Sequence, residues 1–248
     1  MARPLKIFFR GSPIQVGLAA TMFGLLLVSP CDLWAQDTRL ILSLGDDSYI
    51  TWSDVQSRAG AAVRRELGQS PLTEFSALVL SNLSYASLPE AVRGGLQEYL
   101  ARGGSVLITG GKHSFGSGGY AGTELGDLLP LRPSRDDWLV HPFGSTLILQ
   151  PGHPILREVQ IPTMAFFNEL ELNGGAVEIA QYVKTRRLPW PLIAERSLGG
   201  GALLAIALDM TLTGDWKDRD RFAQNCIEYL LQQSRIEPPQ KRGELRSK

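Results

Sequence analysis

Short, mainly apolar runs alternate with segments of helical periodicity through the first half of the chain. The runs Leu40–Leu44, Ala77–Leu80 and Val106–Ile108 predict buried strands. Apolar residues recur at helical spacing over Trp52–Leu67 and again over Ser87–Arg102, which predicts two amphipathic helices. Because strands that alternate with helices form parallel sheets covered on both faces, this half of the chain indicates an α/β fold.

The second half of the chain predicts more strands than helices. Gly199-Gly200-Gly201 separates two apolar runs and is typical of a hairpin turn. A helix predicted at Arg219–Gln233 closes the pattern. The predicted strands of this half are Thr146–Leu149, Val177–Tyr182, Leu192–Ala194 and Ala202–Leu208.

Composition and charge narrow the range of partners. The 248 residues are 44% apolar and 20% charged, which is ordinary for a globular protein with a substantial core. Basic and acidic residues are equal in number, 25 of each, so the formal net charge is zero. No basic stripe stands out in the sequence, so nucleic acid is not an expected partner.

The first 35 residues have the pattern of a secretory signal peptide. Arg3, Lys6 and Arg10 form a basic start, Val16–Val28 is an apolar stretch, and Leu33-Trp34-Ala35 offers a cleavage site. An uncleaved membrane anchor is the alternative, although the apolar stretch is shorter than the roughly 20 residues of a membrane span. The sequence therefore predicts an exported protein of the periplasm or cell envelope. Its predicted parts are a signal peptide at 1–35, a domain at 36–234 and a disordered tail at 235–248.

Cysteine content excludes an intramolecular disulfide once residues 1–35 are removed. Cys31 lies within the predicted signal peptide, which leaves Cys226 as the one remaining cysteine of the sequence. Cys226 falls on the apolar face of the predicted closing helix. We therefore expect a buried and unreactive thiol at this position.

The strongest candidate for a functional site is the glycine-rich segment that follows the predicted strand Val106–Ile108. In an α/β sheet such a loop lies at the carboxyl end of a strand, where these folds place their sites. The segment carries Lys112, His113 and Ser114. Ser114 is a candidate nucleophile, but a serine needs a base within hydrogen-bonding distance, and His113 is its direct neighbour in sequence. The alternative is that Ser114 caps a turn.

Other groups near this segment have both a functional and a structural interpretation. Its amides together with Lys112 would bind an anion, or its glycines would form only a rigid turn. Asp209 follows the last predicted strand and is a candidate acid, although capping is the favoured interpretation. Tyr120 and Trp138 suit partner recognition at the rim, or ordinary packing. Asn168 and Glu169 are a candidate orienting pair, or they are surface residues.

A set of glycine- and proline-containing motifs extends over Asp37–Gln233. They are Gly103-Gly104, Gly110-Gly111, Ser114-Phe115-Gly116, Gly118–Thr123, Leu128-Leu129-Pro130, His153–Leu156, Asn168 and the pattern of Gly200, Asp209 and Trp216. With these motifs the chain resembles the glutamine amidotransferase domain family. The resemblance implies a class I glutamine amidotransferase-like fold, a flavodoxin-like three-layer sandwich with a mostly parallel central sheet. It also implies a bacterial exported protein that works beside proteins with von Willebrand factor A-type domains.

Enzymes with that fold use a Cys-His-Glu triad, and this chain lacks two of its three members at the matching positions. Gly110-Gly111-Lys112-His113 stands where the cysteine is expected, and Asp209-Met210-Thr211 stands where the histidine is expected. Without a thiolate and its general base, acyl transfer by this mechanism has no nucleophile. The resemblance therefore implies a pseudoenzyme.

The preferred prediction is a non-catalytic module that binds a partner or a small ligand through the glycine-rich segment, without a cofactor or a metal. One alternative is a hydrolase or transferase that uses Ser114, His113 or a carboxylate such as Asp209. Another is a carbohydrate-related protein of the same fold. Membrane contact is expected only through an uncleaved N-terminal segment. The predicted binding residues are Gly110, Gly111, Lys112, His113, Ser114, Phe115, Gly116, Gly119, Tyr120 and Asn168.

Overall fold

The computed structural model describes residues 38–133, 138–140, 144–184 and 189–237. The predicted signal peptide, with Cys31, and residues 238–248 of the predicted tail lie outside these ranges. Within the described ranges, no helix has the length and apolar character that crossing a membrane requires.

Strands and α-helices alternate in the first part of the described chain, and strands dominate the second. The strands are β1 (Arg39–Gly45), β2 (Ala61–Arg64), β3 (Ala77–Ser81), β4 (Ser105–Thr109), β5 (Leu131–Arg132), β6 (Trp138–Val140), β7 (Ser145–Ile148), β8 (Phe166–Asn168), β9 (Glu171–Leu172), β10 (Val177–Val183), β11 (Pro189–Leu198) and β12 (Gly201–Ile206). The helices are α1 (Trp52–Ala59), α2 (Glu90–Ala101), α3 (Glu124–Leu128) and α4 (Arg219–Gln233).

Eight strands form one sheet in the order β2-β1-β3-β4-β12-β11-β10-β7. The five strands from β2 to β12 are parallel, and β11, β10 and β7 extend the sheet as antiparallel strands. The parallel part has the 2-1-3-4-5 order of flavodoxin-like doubly wound sheets. The prediction of a mixed α/β fold with a large, mostly parallel sheet is confirmed. The predicted glycine hairpin is also found, since Leu198 of β11 pairs with Gly201 of β12.

Helices cover both faces of the sheet. The connection from β1 through α1 to β2 and the connection from β3 through α2 to β4 run in opposite directions along the sheet. Because such crossovers are right-handed in nearly all proteins, they place α1 and α2 on opposite faces. Helix α4 contacts α1 as well as β3, β4 and β12, so it lies on the same face as α1.

The helix predicted over Trp52–Leu67 is wrong in its second half. Helix α1 ends at Ala59, and Gly60 follows in the left-handed region with a φ of 60°. The next residues form β2, in which Ala62 pairs with Leu40 of β1. Pairing at the sheet edge stabilises this segment in the extended form, although its apolar spacing also fits a helix.

The core lies between the sheet and the helices that cover it. Every residue of β3, β4 and β12 is buried. Helix α4 packs on these three strands, and Cys226 of this helix has no exposed surface. Burial raises the pKa of the Cys226 thiol. The predicted burial of this cysteine is confirmed.

The parallel strands end together at one edge of the sheet, which we call the carboxyl edge. Gly45 of β1, Ser81 of β3, Thr109 of β4 and Ile206 of β12 are the last strand residues there. Open α/β sheets bind their ligands at this edge. The loops that follow these four strands accordingly hold the candidate site.

Candidate functional site

The glycine-rich loop, residues Gly110–Gly122, is folded tightly onto the carboxyl edge. A Cβ on Gly110 would lie 2.0 Å from the Ala207 carbonyl oxygen. Gly111 adopts a φ of 138°, and a Cβ there would lie 2.3 Å from Oδ1 of Asn82. Both positions require glycine because neighbouring segments approach the loop backbone too closely for any side chain.

Asn168 bonds this loop through both the oxygen and the nitrogen of its side-chain amide. Its Oδ1 accepts the N–H of Gly111 at 2.8 Å, and its Nδ2 donates to the carbonyl of the same glycine at 3.2 Å. Strand β8 carries Asn168 past the end of β12, where the Asn168 N–H donates to the Ala207 carbonyl at 3.0 Å. Asn168 is fully buried, so it orients the loop from beneath and offers no surface to a ligand.

Asn82 is a second anchor, which the sequence patterns did not single out. It follows β3 in the left-handed region, with a φ of 44°. Its Oδ1 accepts the N–H of His113 at 2.8 Å. An asparagine directly after a buried strand is a usable signal for such a position, because asparagine tolerates this backbone conformation better than most residues.

Ser114 belongs to this loop but is buried, with only 1% of its surface exposed. Its Oγ atom has no hydrogen-bond partner in the part of the chain that the structure describes. A nucleophilic serine needs a base within hydrogen-bonding distance, about 3 Å. The position of Ser114 therefore gives the hydrolase alternative no support.

Two further residues predicted to bind a ligand lie in the core. Phe115 and Tyr120 have no exposed surface. The Tyr120 hydroxyl donates to the Leu83 carbonyl at 2.8 Å, and its ring meets that of Tyr85 edge-on with centroids 5.7 Å apart. Tyr120 therefore packs the loop against the segment after β3 and is not a rim residue. The two aromatic residues among the glycines of this loop, Phe115 and Tyr120, are therefore packing residues.

Backbone amides that would bind an anion are used within the loop. Gly118 donates its N–H to the Ser114 carbonyl at 2.8 Å, and Gly119 donates to the Gly116 carbonyl at 3.0 Å. Hydrogen bonds of this kind stabilise a rigid turn. These two amides are not available to a phosphate or carboxylate.

Lys112 and His113 are the titratable residues of the glycine-rich loop that are exposed to solvent. The backbone beside them is held by Asn82 on one side and by Asn168 on the other. Exposed polar side chains on a rigidly supported loop are the usual arrangement of a recognition site. Of the residues predicted to bind, these two are the ones with accessible polar side chains.

Carboxylates at the carboxyl edge have structural partners. Asp209 caps the 3₁₀ turn after β12: its Oδ1 accepts the Thr211 N–H at 3.0 Å and the Thr211 hydroxyl at 2.6 Å. Asp47, which follows β1, accepts from the Ser43 hydroxyl at 2.7 Å and from Trp52 Nε1 at 2.8 Å. Across the described ranges, no three His, Cys, Asp or Glu side chains converge as a metal site would need. Asp209 therefore acts in this structure as a cap.

A pocket of about 290 Å³ opens beside the loop that follows β12, and we call it the Trp216 pocket. Trp216 donates from Nε1 to the Gln160 carbonyl at 2.8 Å and packs on Phe222 of α4, with ring centroids 5.0 Å apart. The sequence patterns did not predict this pocket, because its walls come from two segments roughly 50 residues apart. Much of the wall is apolar, including Met164, Phe166 and Leu212.

Trp138, predicted at the rim of the glycine-rich loop, packs on Phe166. It belongs to β6, which pairs with β8. Its ring stacks on that of Phe166, with centroids 6.3 Å apart and an angle of 20° between the planes. This contact therefore supports Phe166, which lines the Trp216 pocket.

No family model and no curated protein matches this chain. Two solved structures from Salmonella typhimurium, both described as cytoplasmic proteins, are similar with TM-scores of 0.61 and 0.62. Each is 16% identical, and the alignments cover 79% and 77% of this chain and 98% and 99% of theirs. A ThuA-like protein from Bacteroides uniformis has a TM-score of 0.55 and 8% identity, over 83% of this chain and 96% of its own. At these identities the likeness shows the fold alone.

Two predictions are overturned by these comparisons. The resemblance to the glutamine amidotransferase domain family is wrong, since no family model matches and the three similar structures named above are two cytoplasmic proteins and a ThuA-like protein. The glycines that suggested it meet steric demands: Gly110 lies against the Ala207 backbone and Gly111 against the Asn82 side chain, and such contacts do not identify a family. The prediction of an exported envelope protein is contradicted as well, by the two similar proteins described as cytoplasmic.

Proposed function

We propose that this chain is a non-catalytic binding protein that recognises a partner or a small ligand at the carboxyl edge, with Lys112 and His113 as contact residues. The observation that supports the proposal most directly is the construction of the glycine-rich loop. Asn82 and Asn168 hold its backbone, while Lys112 and His113 remain exposed. A fixed backbone lowers the entropic cost of ordering contact residues on binding.

The chemistry of the neighbouring residues favours binding over catalysis. Ser114 Oγ has no base within hydrogen-bonding distance among the described residues. Asp209 is occupied as the cap of a turn. We also propose that the fold is a flavodoxin-like three-layer sandwich. The 2-1-3-4-5 order of the parallel strands supports this assignment.

The identity of a partner stays a prediction. The von Willebrand factor A-type partner rested on the family resemblance alone, and that resemblance is wrong. The experiment therefore assumes no partner and asks whether binding depends on the side chains of Lys112 and His113.

The test is affinity purification of the tagged full chain after chemical crosslinking, with bound proteins and small molecules identified by mass spectrometry. The Lys112→Ala/His113→Ala variant is compared with the native chain and with Lys184→Ala, which removes an exposed lysine between β10 and β11. We expect a bound component that disappears with the double variant and remains with the control. Because all three side chains are exposed, the melting temperature should stay unchanged. A component retained by the double variant would overturn the proposal, as would the absence of any reproducible one.

Carbohydrate binding is a second candidate, and one observation favours it. Phe166 is 36% exposed and stacks on Trp138 beside the Trp216 pocket. Aromatic faces of this kind present large, rigid contact surfaces to a ring. To test this candidate, neutral monosaccharides such as glucose are titrated into the protein while its tryptophan fluorescence is measured. A change that saturates in the native chain and is lost in Phe166→Ala would support it, and a flat titration would dismiss it.

A further inference from the structure

A second cavity lies next to the Trp216 pocket, and we call the two cavities the first and the second lobe. The first lobe has a volume of about 290 Å³ and the second about 340 Å³. Both are lined by Pro162, Asp215 and Trp216, so the two lobes are neighbours that share these three residues. Neither lobe is lined by a residue of the glycine-rich loop, so a ligand here would not use Lys112 or His113.

The first lobe is suited to an apolar group. Phe166 and Leu212 are 36% and 51% exposed, and both line this lobe with Met164. Covering exposed apolar surface is favourable in proportion to the area removed from water. The volume lies near the small end of the range for ligand pockets, roughly 300–1,000 Å³, which indicates a small ligand.

The second lobe presents two opposite charges. Asp215 and Lys217 stand on either side of Trp216 in the sequence, and both line this lobe. Both side chains are exposed, and neither forms a salt bridge with another residue in the described ranges. A ligand with one positive and one negative group would therefore find a counter-charge for each.

The walls of the pocket are held in place before any ligand arrives. Trp216 Nε1 donates to the Gln160 carbonyl at 2.8 Å, and the Gln160 N–H donates to Oδ2 of Asp218 at 3.0 Å. These two bonds tie the segment before β8 to the segment after β12. A pocket formed in advance binds with a smaller ordering cost.

We propose that the Trp216 pocket binds a free α-amino acid with an apolar side chain. The ammonium group contacts Asp215, the carboxylate contacts Lys217, and the side chain enters the first lobe against Phe166 and Leu212. This site is separate from the one at Lys112 and His113, so either can fail without the other. A neutral sugar would leave both charges unused, and a fatty acid would use only Lys217.

The test is isothermal titration of the full chain with three related probes. L-Phenylalanine carries both charges, phenethylamine carries only the ammonium group, and 3-phenylpropionate carries only the carboxylate. An exposed ion pair contributes up to about 1 kcal/mol, a factor of about five in affinity. We therefore expect L-phenylalanine to bind about fivefold more tightly than either single-charge probe.

Charge variants assign each contact. Asp215→Asn should weaken L-phenylalanine and phenethylamine about fivefold and leave 3-phenylpropionate unchanged. Lys217→Gln should weaken L-phenylalanine and 3-phenylpropionate and leave phenethylamine unchanged. Leu212→Ser should weaken all three, and Lys112→Ala/His113→Ala should weaken none, which separates this site from the first.

Two results would overturn the inference. One is the absence of saturable binding of L-phenylalanine up to about 20 mM, a concentration that would fill even a site with millimolar affinity. The other is equal affinity for all three probes with no response to either charge variant, since the pocket would then bind only the apolar ring. Circular dichroism and melting temperature of each variant show whether a lost signal comes from the site or from unfolding.

Discussion

Two asparagine side chains, Asn82 and Asn168, fix the glycine-rich loop by bonding its backbone. Each replaces a strand partner that the loop no longer has, since Gly111 and His113 lie just past the end of β4. The loop can therefore leave the sheet without unpaired amides at these two positions. Side chains at Lys112 and His113 are then free to face solvent, because none of the anchoring depends on them.

Ser114→Ala tests the structural role of the buried serine. Its Oγ is buried without a partner among the described residues, so the native hydroxyl brings a desolvation cost and no bond in return. We expect the alanine variant to be equally stable or up to about 1 kcal/mol more stable in urea unfolding. A loss of more than about 1 kcal/mol would indicate a hidden partner for the hydroxyl, such as a bound water.

Gly111→Ala and Gly119→Ala separate steric contact from backbone strain. Both glycines have positive φ, 138° and 81°. A Cβ at Gly111 would lie 2.3 Å from Asn82 Oδ1, whereas nothing lies within 4 Å of a Cβ at Gly119. We expect Gly111→Ala to cost about 3 kcal/mol of unfolding free energy and Gly119→Ala about 1 kcal/mol. Equal costs in chemical denaturation would mean that the contact with Asn82 relaxes freely.

At the scale of elements, Glu195 connects the sheet to the helix layer. It lies on β11, accepts the Tyr229 hydroxyl of α4 at 2.5 Å and contacts Nε2 of His153 at 3.3 Å. The bond from His153 is the main reason that the pKa of Glu195 lies below its ordinary value of 4.5, with the Tyr229 bond adding to it and burial opposing it. The ionised carboxylate is therefore the form that stabilises this junction.

The pH dependence of stability follows from that shift. Since the folded-state pKa of Glu195 is lowered, its contribution is fully present above about pH 4.5 and is lost as the pH falls through the folded-state pKa. Glu195→Gln should be less stable than the native chain at pH 7, and the difference should shrink toward about pH 3. Urea unfolding of both proteins between pH 7 and about pH 3 measures this difference in stability.

Glu171→Gln serves as the control for that series. Glu171 pairs with Arg132 at 2.7 Å on the surface, with 59% of its side chain exposed. Exposed pairs of this kind contribute little, so its difference from the native chain should be small at every pH. A Glu195→Gln difference that stays constant from pH 7 to about 3 would show that packing, and not ionisation, accounts for the loss.

At the scale of the whole molecule, one sheet combines a parallel part and an antiparallel part. Five parallel strands with helices on both faces provide the carboxyl edge, and three antiparallel strands widen the sheet beyond β12. The short strand β8 lies across the end of β12 through the bridge between Phe167 and Leu208. Because β8 carries both Asn168 and Phe166, it joins the support of the glycine-rich loop to the wall of the Trp216 pocket.

Thiol labelling of Cys226 tests whether α4 stays packed on the sheet. The side chain has no exposed surface, and burial raises the pKa of its thiol. In a Cys31→Ser chain, we expect Ellman's reagent to leave Cys226 unmodified in native buffer and to modify it completely in guanidinium chloride. Labelling in native buffer at the rate of a free thiol would mean that α4 opens readily from the sheet.

Several features could be predicted from local pattern alone. Apolar runs identified β1, β3 and β4, and the triple glycine identified the hairpin between β11 and β12. Helical spacing identified α4 with its ends. Such patterns suffice because they depend on periodicity and turn chemistry within a few residues. The same reasoning failed over Ala61–Arg64, where pairing with β1 decided between helix and strand.

The sequence by itself determined the α/β class, the position of the glycine-rich loop at the end of a strand and the burial of Cys226, since each depends on neighbouring residues. Only the tertiary structure decided that Tyr120 is buried, that Asn168 supports Gly111 and that Trp216 lines a pocket. These depend on contacts between distant segments, such as the 57 residues between Gly111 and Asn168. Distant contacts depend on how strands are ordered in the sheet, and no local periodicity encodes that order.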